Sequence, residues 1–288
     1  MQGTVGPLQS CPICTSQKLR PFKNVERSYA GRKYSLCLLQ CGECDFVAIK
    51  DPPFIKYDAD YLDFECPDDP LLSRFRGQER IATISSYLPP QGRKTFLDIG
   101  IGDGFLLSLA EAGGYQTYGL DINPDGFRLG QQRYGLRTEM SYQPVPQAFP
   151  DVAFHIIHMN EVIEHVSKPI DMFQWCYQHL ENDGLLVVQT GNAKSVASKL
   201  KGDGWDYFRP AHVSYFSEKN MRLALTKAGF RVVMMRSVDW RIAKLLPVTR
   251  LLFKERGGMP AIRFFVTFVS TFVYGISRTM LVCATKRP

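Results

Sequence analysis

Thr95-Phe-Leu-Asp-Ile-Gly-Ile-Gly-Asp-Gly104 is the stretch on which the fold turns. Its first five residues make a short apolar strand, and glycines then alternate at 100, 102 and 104. Phe105 to Ala112 has helical character and stops at Gly113-Gly114. The order is strand, glycine turn, helix. Glycines let the backbone come close to a ligand, and the helix start offers unpaired N–H groups. A second strand, Thr117 to Asp121, ends in a carboxylate. An acidic side chain at that place can take both hydroxyls of a ribose. The expected class is α/β with a Rossmann-like sheet.

Two nucleoside cofactors suit such a turn. A dinucleotide fold wants Gly-x-Gly-x-x-Gly, whose last glycine packs helix on strand. Here the spacing is Gly-x-Gly-x-Gly with Phe105 following, and no phosphate needs cradling. That favours S-adenosylmethionine over NAD.

Further motifs extend the pattern. They are Gly119-Leu-Asp-Ile-Asn123, Asn160-Glu-Val-Ile-Glu-His-Val166 and Leu180-Glu-Asn-Asp-Gly-Leu-Leu-Val187. Together with Leu97 to Gly104 they resemble the successive motifs of class I S-adenosylmethionine-dependent methyltransferases, from about Thr95 to Phe230. The Glu-x-x-Glu-His pattern resembles the ubiquinone-pathway O-methyltransferases. The resemblance implies a seven-stranded domain in which Asp98, Gly100, Gly102 and Gly104 bound the methionine end of the cofactor. It further implies that Asp121 binds the ribose, Ile122 packs on adenine and Asn160 faces the sulfonium. In the resembling enzymes the residues matching Glu161, Glu164 and His165 are associated with a divalent cation near the acceptor; the competing reading is that Glu164 and His165 make structural hydrogen bonds at a helix start, with no metal.

Methyl transfer is an in-line displacement, so a protein mainly aligns reactants and, for a hydroxyl acceptor, removes a proton. Glu161, Glu164 and His165 stand at i, i+3 and i+4, and a helix there would put them on one face. His212 follows the expected fifth strand (Leu185 to Thr190) and precedes a helix (Glu218 to Ala228) capped by Ser217. As the side chain that titrates nearest neutrality, it is the first choice for proton removal or acceptor positioning, with loop bracing as the competing role. Trp205, Tyr207 and Phe208 precede it as an aromatic loop.

Upstream, Cys11-Pro-Ile-Cys14 and Cys41-Gly-Glu-Cys44 are two Cys-x2-Cys pairs. Each puts two thiolates on one turn, and two turns complete a tetrahedron around Zn2+. Four sulfurs leave no open position, so the metal is expected to be structural. A bacterial methyltransferase subgroup with a zinc ribbon before the catalytic domain has a similar beginning, and its members often act on sugars, lipids or other small metabolites. Strand alternation sets Cys37 on the face opposite Leu36 and Leu38, while Cys66, Cys176 and Cys283 read as core or incidental thiols.

Composition bounds the rest. The chain has 288 residues, 45% apolar and 22% charged, which is ordinary globular usage. Its net charge of +7 is uneven. Asp51 to Pro70 is acidic, and Arg241 to Arg263 is basic and runs into the apolar stretch Phe264 to Ile276. That stretch is shorter than the ~20 residues of a spanning helix. The expected organisation is a zinc ribbon (1–50), an acidic linker with an amphipathic helix (51–90) and the Rossmann-like domain (91–288), with an insertion at 241–278. The insertion reads as a lid, a dimer interface or a peripheral membrane contact. Met1 to Ser10 lacks the pattern of a secretory signal, so the expected location is cytoplasmic or at the inner membrane surface. The expected reaction is methylation, at oxygen, of a small-molecule or lipid-linked acceptor. The alternatives are an RNA methyltransferase gripping nucleic acid through Lys18, Arg20, Lys23, Arg27, Arg32 and Lys33, and a non-catalytic cofactor-binding scaffold. The acidic block after the ribbon argues against nucleic acid.

Overall fold

The computed structural model describes residues 6–29, 31–55, 70–88, 92, 94–141, 147–238 and 278–287. Most of the acidic linker, Cys66 and the insertion up to residue 277 lie outside the described residues. Among the described residues no helix is long and apolar enough to cross a membrane.

The order begins with β1 (Leu19–Tyr29), β2 (Arg32–Cys41), β3 (Val47–Ile49) and α1 (Pro70–Tyr87). It continues with β4 (Thr95–Ile99), α2 (Phe105–Ala112), β5 (Gln116–Leu120), α3 (Pro124–Tyr134), β6 (Glu139–Ser141) and β7 (Phe154–Asn160). Then follow α4 (Pro169–His179), β8 (Leu180–Gly191), α5 (Val196–Lys201), β9 (Ser214–Tyr215), α6 (Glu218–Lys227), β10 (Phe230–Val238) and β11 (Thr279–Lys286). The main sheet has seven strands in the order β10-β11-β8-β7-β4-β5-β6. β4 pairs in parallel with β5 on one side and β7 on the other. β11 is antiparallel to both β8 and β10. The chain reverses its direction of travel at β4, so the crevice beyond the carboxyl ends of β4 and β7 is where such a sheet takes a ligand.

Alternation along the central strands divides the core into two layers. Phe96, Ile156, Leu185, Val187 and Leu281 pack with Ile84 of α1 and Leu107 of α2. Leu97, Ile157, Met159, Leu186 and Val188 pack with Phe173 of α4 and Met221 and Leu225 of α6. β8 begins at Leu180, earlier than the pattern predicted, because Leu180 pairs with Phe154 before the register slips ahead of Ile156 and Leu185. Ser217 caps α6 as expected, its hydroxyl accepting from the Asn220 amide while the Asn220 side chain accepts from the Ser217 amide.

The N-terminal strands do not close on themselves. Their sheet runs β1-β2-β3-β9, and β9 comes from the loop before α6. Val47 pairs with Tyr215 and Ala48 with Ser214. Phe46 meets Phe216 edge to face at 5.2 Å, and Cys11, Cys41 and Cys44 share the core layer of α4 and α6. The cysteine unit is therefore built onto the main domain by a strand and a core.

Candidate active site and cysteine centre

The glycine turn leaves β4 with φ values of 75°, 55° and 74° at Gly100, Gly102 and Gly104. A Cβ at Gly100 would lie 2.3 Å from Val162 Cγ2, so neither the dihedral nor the space admits another residue. The Gly100 amide donates to Leu120 O at 2.7 Å, which ties the turn to the end of β5. There Asp121 accepts from the Asn123 amide at 2.9 Å. Burial raises the Asp121 pKa, and neighbouring amides, Gly102 among them, oppose that rise. Ile122 beside it is 47% exposed, an apolar surface facing outward. Asn160 closes β7 and is also exposed.

Asp98 is buried one strand over from His158, and its carboxylate accepts from His158 Nδ1 at 2.7 Å. Burial lowers the His158 pKa against the pull of Asp98, so the ring is neutral and its Nε2 has no hydrogen-bond partner. A second unpaired atom belongs to Arg80, which the sequence reading missed. Arg80 is 6% exposed, donates through Nη2 to Gln189 Oε1, and has no partner for Nη1. Burial lowers its pKa to about 10, with Asp98 and Glu161 among the charges that oppose the fall. The signal was present: Arg80, Ile84 and Leu88 recur at i, i+4 and i+8, so an arginine stands in the apolar stripe of α1.

Glu161, Glu164 and His165 are not gathered on a helix face. Glu161 has φ 57°, and Ile163–His165 is a single 3-10 turn. The two carboxylates still converge, through a residue distant in sequence. Tyr207 hydroxyl lies against Glu161 Oε2 and 2.7 Å from Glu164 Oε1. Thr190 donates to Glu164 Oε2 at 2.9 Å, and Gln189 Nε2 donates to Glu161 Oε1 at 3.4 Å. One phenol has one proton and can donate to only one carboxylate. The second contact is a hydrogen bond only when a carboxyl is protonated. Burial, followed by the charge of Glu161, pushes the Glu164 pKa up to about 8. Gly191 makes the arrangement possible, since a Cβ there would sit 2.2 Å from the Tyr207 ring.

His165 and His212 take a different position. His165 Nδ1 donates to Ala211 O at 2.9 Å and His212 Nδ1 to Tyr207 O at 2.8 Å, and the rings meet edge to face at 4.8 Å. Burial lowers both pKa values, to about 4 for His165 and well below the ordinary value for His212. Both rings are neutral with Nε2 unprotonated. The ligand atoms that lie within 4.8 Å of one another are those of Glu164, His165 and His212. Glu161, expected in that set, stands outside it. Trp205, Tyr207 and Phe208 are buried in one cluster with Val25, Leu36, Leu38, Val47 and Ile49 of the N-terminal strands.

The four expected cysteines come together. Cys11 Sγ lies 3.5 Å from Cys44 Sγ, and Cys14 Sγ lies 3.4 Å from Cys41 Sγ. The two turns are alike: Thr15 and Asp45 have positive φ, and their amides donate to Cys11 O and Cys41 O. All four sulfurs lie within 4.8 Å of one another, a set that could hold a metal ion, and Cys37 is not part of it. Several of the basic residues offered as a nucleic-acid grip are engaged within the protein. Lys18 pairs with Glu43, Lys23 with Asp203, and Arg27 with backbone carbonyls of the aromatic loop.

Comparison with known proteins agrees with this fold. A family described as a methyltransferase domain matches residues 50–234. A ubiquinone biosynthesis O-methyltransferase of Cereibacter sphaeroides is 31% identical over 128 residues, covering 42% of this chain and 51% of that protein. The chain spans about half the length of the curated relatives it matches. Among solved structures, the Haemonchus contortus phosphoethanolamine N-methyltransferase 2 with S-adenosyl-L-methionine has a TM-score of 0.53 at 14% identity, covering 84% of this chain and 63% of its own. An S-adenosylmethionine-dependent methyltransferase from Mesorhizobium loti has a TM-score of 0.51 at 15% identity, covering 74% and 100%. At such identities the structural likeness speaks for the fold alone. With the strand order, the glycine turn and the match over residues 50–234 in agreement, the chain belongs to the methyltransferase-domain family of class I, S-adenosylmethionine-dependent architecture.

Proposed function

We propose that the protein transfers a methyl group from S-adenosylmethionine to a hydroxyl of a small-molecule or lipid-linked acceptor. The observation that carries the reading is the pair of carboxylates around Tyr207, buried Glu164 and half-buried Glu161, at the strand ends next to the glycine turn. The surrounding residues fit the cofactor. Arg80 Nη1 is a buried donor without a partner, suited to an α-carboxylate. Asp121 is suited to the ribose diol, and the backbone at Gly100, Gly102 and Gly104 to the amino-acid tail beside Asp98. Exposed Ile122 offers a surface for adenine, and Asn160 faces the sulfonium. When bound, the cofactor supplies an already activated methyl group.

The chain's own residues then align the acceptor and receive its proton. A base works best with a pKa near the operating pH, which Glu164 meets through its burial and the charge of Glu161. Half-buried Glu161 receives the hydroxyl proton and donates it to the Tyr207 oxygen, whose own proton passes to ionised Glu164, so the fully buried carboxylate acts as base through the phenol. His212 is too weakly basic in its buried setting to compete. It holds the Tyr207 carbonyl, so its role is positioning. Glu164, His165 and His212 form a donor set for a divalent cation, but both Glu164 oxygens are already engaged by Tyr207 and Thr190. The residues fit that ion poorly, and no step runs through it. Cys11, Cys14, Cys41 and Cys44 fit a structural Zn2+.

Calorimetry with S-adenosylmethionine and S-adenosylhomocysteine, followed by a labelled-methyl screen over cell extract, tests the reading. Binding heat and a labelled small or lipid-linked product are expected. Absence of heat with both compounds would remove the proposal. Label found in RNA would move it to nucleic acid.

A further inference from the structure

One face of β1 follows the aromatic loop residue by residue. Lys23 pairs with Asp203. Val25 is buried in one cluster with Trp205, Tyr207 and Phe208. Arg27 Nε donates to Phe208 O at 2.8 Å, and its Nη2 donates to Trp205 O at 3.1 Å and to Asp203 O. Tyr29 is buried with Ala211. Lys23, Val25, Arg27 and Tyr29 alternate, so they share one strand face. The far end of the loop is held from the same unit, where the Ile49 amide donates to Val213 O at 3.2 Å ahead of the pairing of β3 with β9.

The loop is irregular between 205 and 213, so its carbonyls lack a regular ladder of amide partners. A guanidinium is the side chain suited to serve several carbonyls at once, because its donors lie in a rigid planar fork. The loop in turn carries the Tyr207 hydroxyl to Glu161 and Glu164, and the Tyr207 carbonyl that His212 holds.

We propose that Arg27, on the first strand of the cysteine unit, is a positioning residue of the acceptor site: it sets the 203–212 loop, and through it Tyr207 and His212. The cysteine unit is then a wall of the acceptor site. This rests on the methyl-transfer reading only in taking that loop as the acceptor side.

Hydrogen–deuterium exchange on the full-length, zinc-loaded protein tests it. In Arg27→Ala, amides in 203–212 are expected to exchange ~10-fold faster or more, because the loop opens locally. Residues 95–141, zinc content and S-adenosylhomocysteine affinity are expected to stay as in wild type. Methylguanidinium, which restores a planar fork, is expected to recover protection, whereas tetramethylammonium at equal ionic strength is not. Arg27→Lys keeps the charge without the fork and is expected to fall between the two. With the acceptor supplied by the extract screen, KM for that acceptor is expected to rise while KM for the cofactor holds. Wild-type protection of the loop in Arg27→Ala, or equal recovery by both cations, would overturn the assignment. If Arg27→Ala loses zinc or unfolds, Arg27→Lys carries the test, and full protection of its loop is the overturning result. Failure of the wild type to bind S-adenosylhomocysteine would sink the methyl-transfer reading while leaving the exchange result to stand.

Discussion

The two halves of the candidate site are built by different means. The proposed cofactor half is mainly local: the glycine turn, Asp121 and Ile122 follow one another along β4, α2 and β5, and only Arg80 of α1 and Asn160 of β7 join from elsewhere. The acceptor half is assembled from afar. Glu161 and Glu164 follow β7, Tyr207 and His212 sit in a loop beyond β8, and Arg27 reaches that loop from the N-terminal strands. A local half needs the sheet for support and little else. An assembled half depends on every element that holds one of its members. The two should therefore fail separately.

Disabling the proposed zinc site should separate them most. Cys44→Ser, or chelation of zinc, is expected to loosen residues 6–55 together with 203–215, since a structural metal contributes its binding energy to folding. Methyl transfer should fall roughly 100-fold or more as the acceptor groups lose their geometry. Cofactor affinity, measured by calorimetry, should hold. A parallel loss of cofactor binding would break the comparison.

Glu164→Gln comes next. Loss of a general base is expected to slow transfer by roughly 100-fold at saturating cofactor, with cofactor affinity unchanged. Its stability effect has a definite sign. A carboxyl whose folded pKa is raised holds an extra proton in the folded state, so wild-type stability falls as pH rises from about 4.5 through about 8. His165 and His212 are depressed and act oppositely, but below about 6.5, where the unfolded rings take up protons. Between these limits, from pH 6.5 to 8, the wild-type Tm should drop and that of Glu164→Gln should stay flatter. Equal slopes would remove Glu164 as the titrating group.

Asp121→Ala addresses the other half. Losing hydrogen bonds to a charged acceptor costs about 2 kcal/mol, or roughly 30-fold in affinity for S-adenosylhomocysteine. Loop protection should be unchanged. Gly191→Ala is the smallest change and falls on the acceptor side. Its methyl group meets the Tyr207 ring, and overpacking of that kind costs about 1–3 kcal/mol, a Tm loss of several degrees in a thermal melt. Unaltered Tm would mean that Tyr207 sits elsewhere.

The same division explains what could be read in advance. The α/β class, the strand–glycine–helix unit, the Ser217 cap and the four-cysteine set were legible, because each is a short pattern with a backbone or metal-ligand requirement of its own. The helical placement of Glu161, Glu164 and His165 was not, since their spacing suits a helix but Glu161 takes positive φ and breaks it. Arg80 was overlooked because a helical stripe reads as core, and only its depth against Gln189 and its unpaired nitrogen make it a candidate for the site. His212 was found at its place in the chain, yet its burial, which governs its basicity, belongs to the assembled protein.

The residue order by itself determined the sheet-forming segments, the glycine turn, the carboxylate after the second parallel strand and the paired cysteines, since these follow from local dihedral freedom, alternation and spacing. Tertiary structure alone decided that an N-terminal strand pairs with the loop before α6, that one tyrosine joins two glutamates, and that one arginine serves three distant carbonyls. Those contacts join segments far apart in the chain, and no periodicity encodes which loop carbonyl a guanidinium will reach once both are brought out of water.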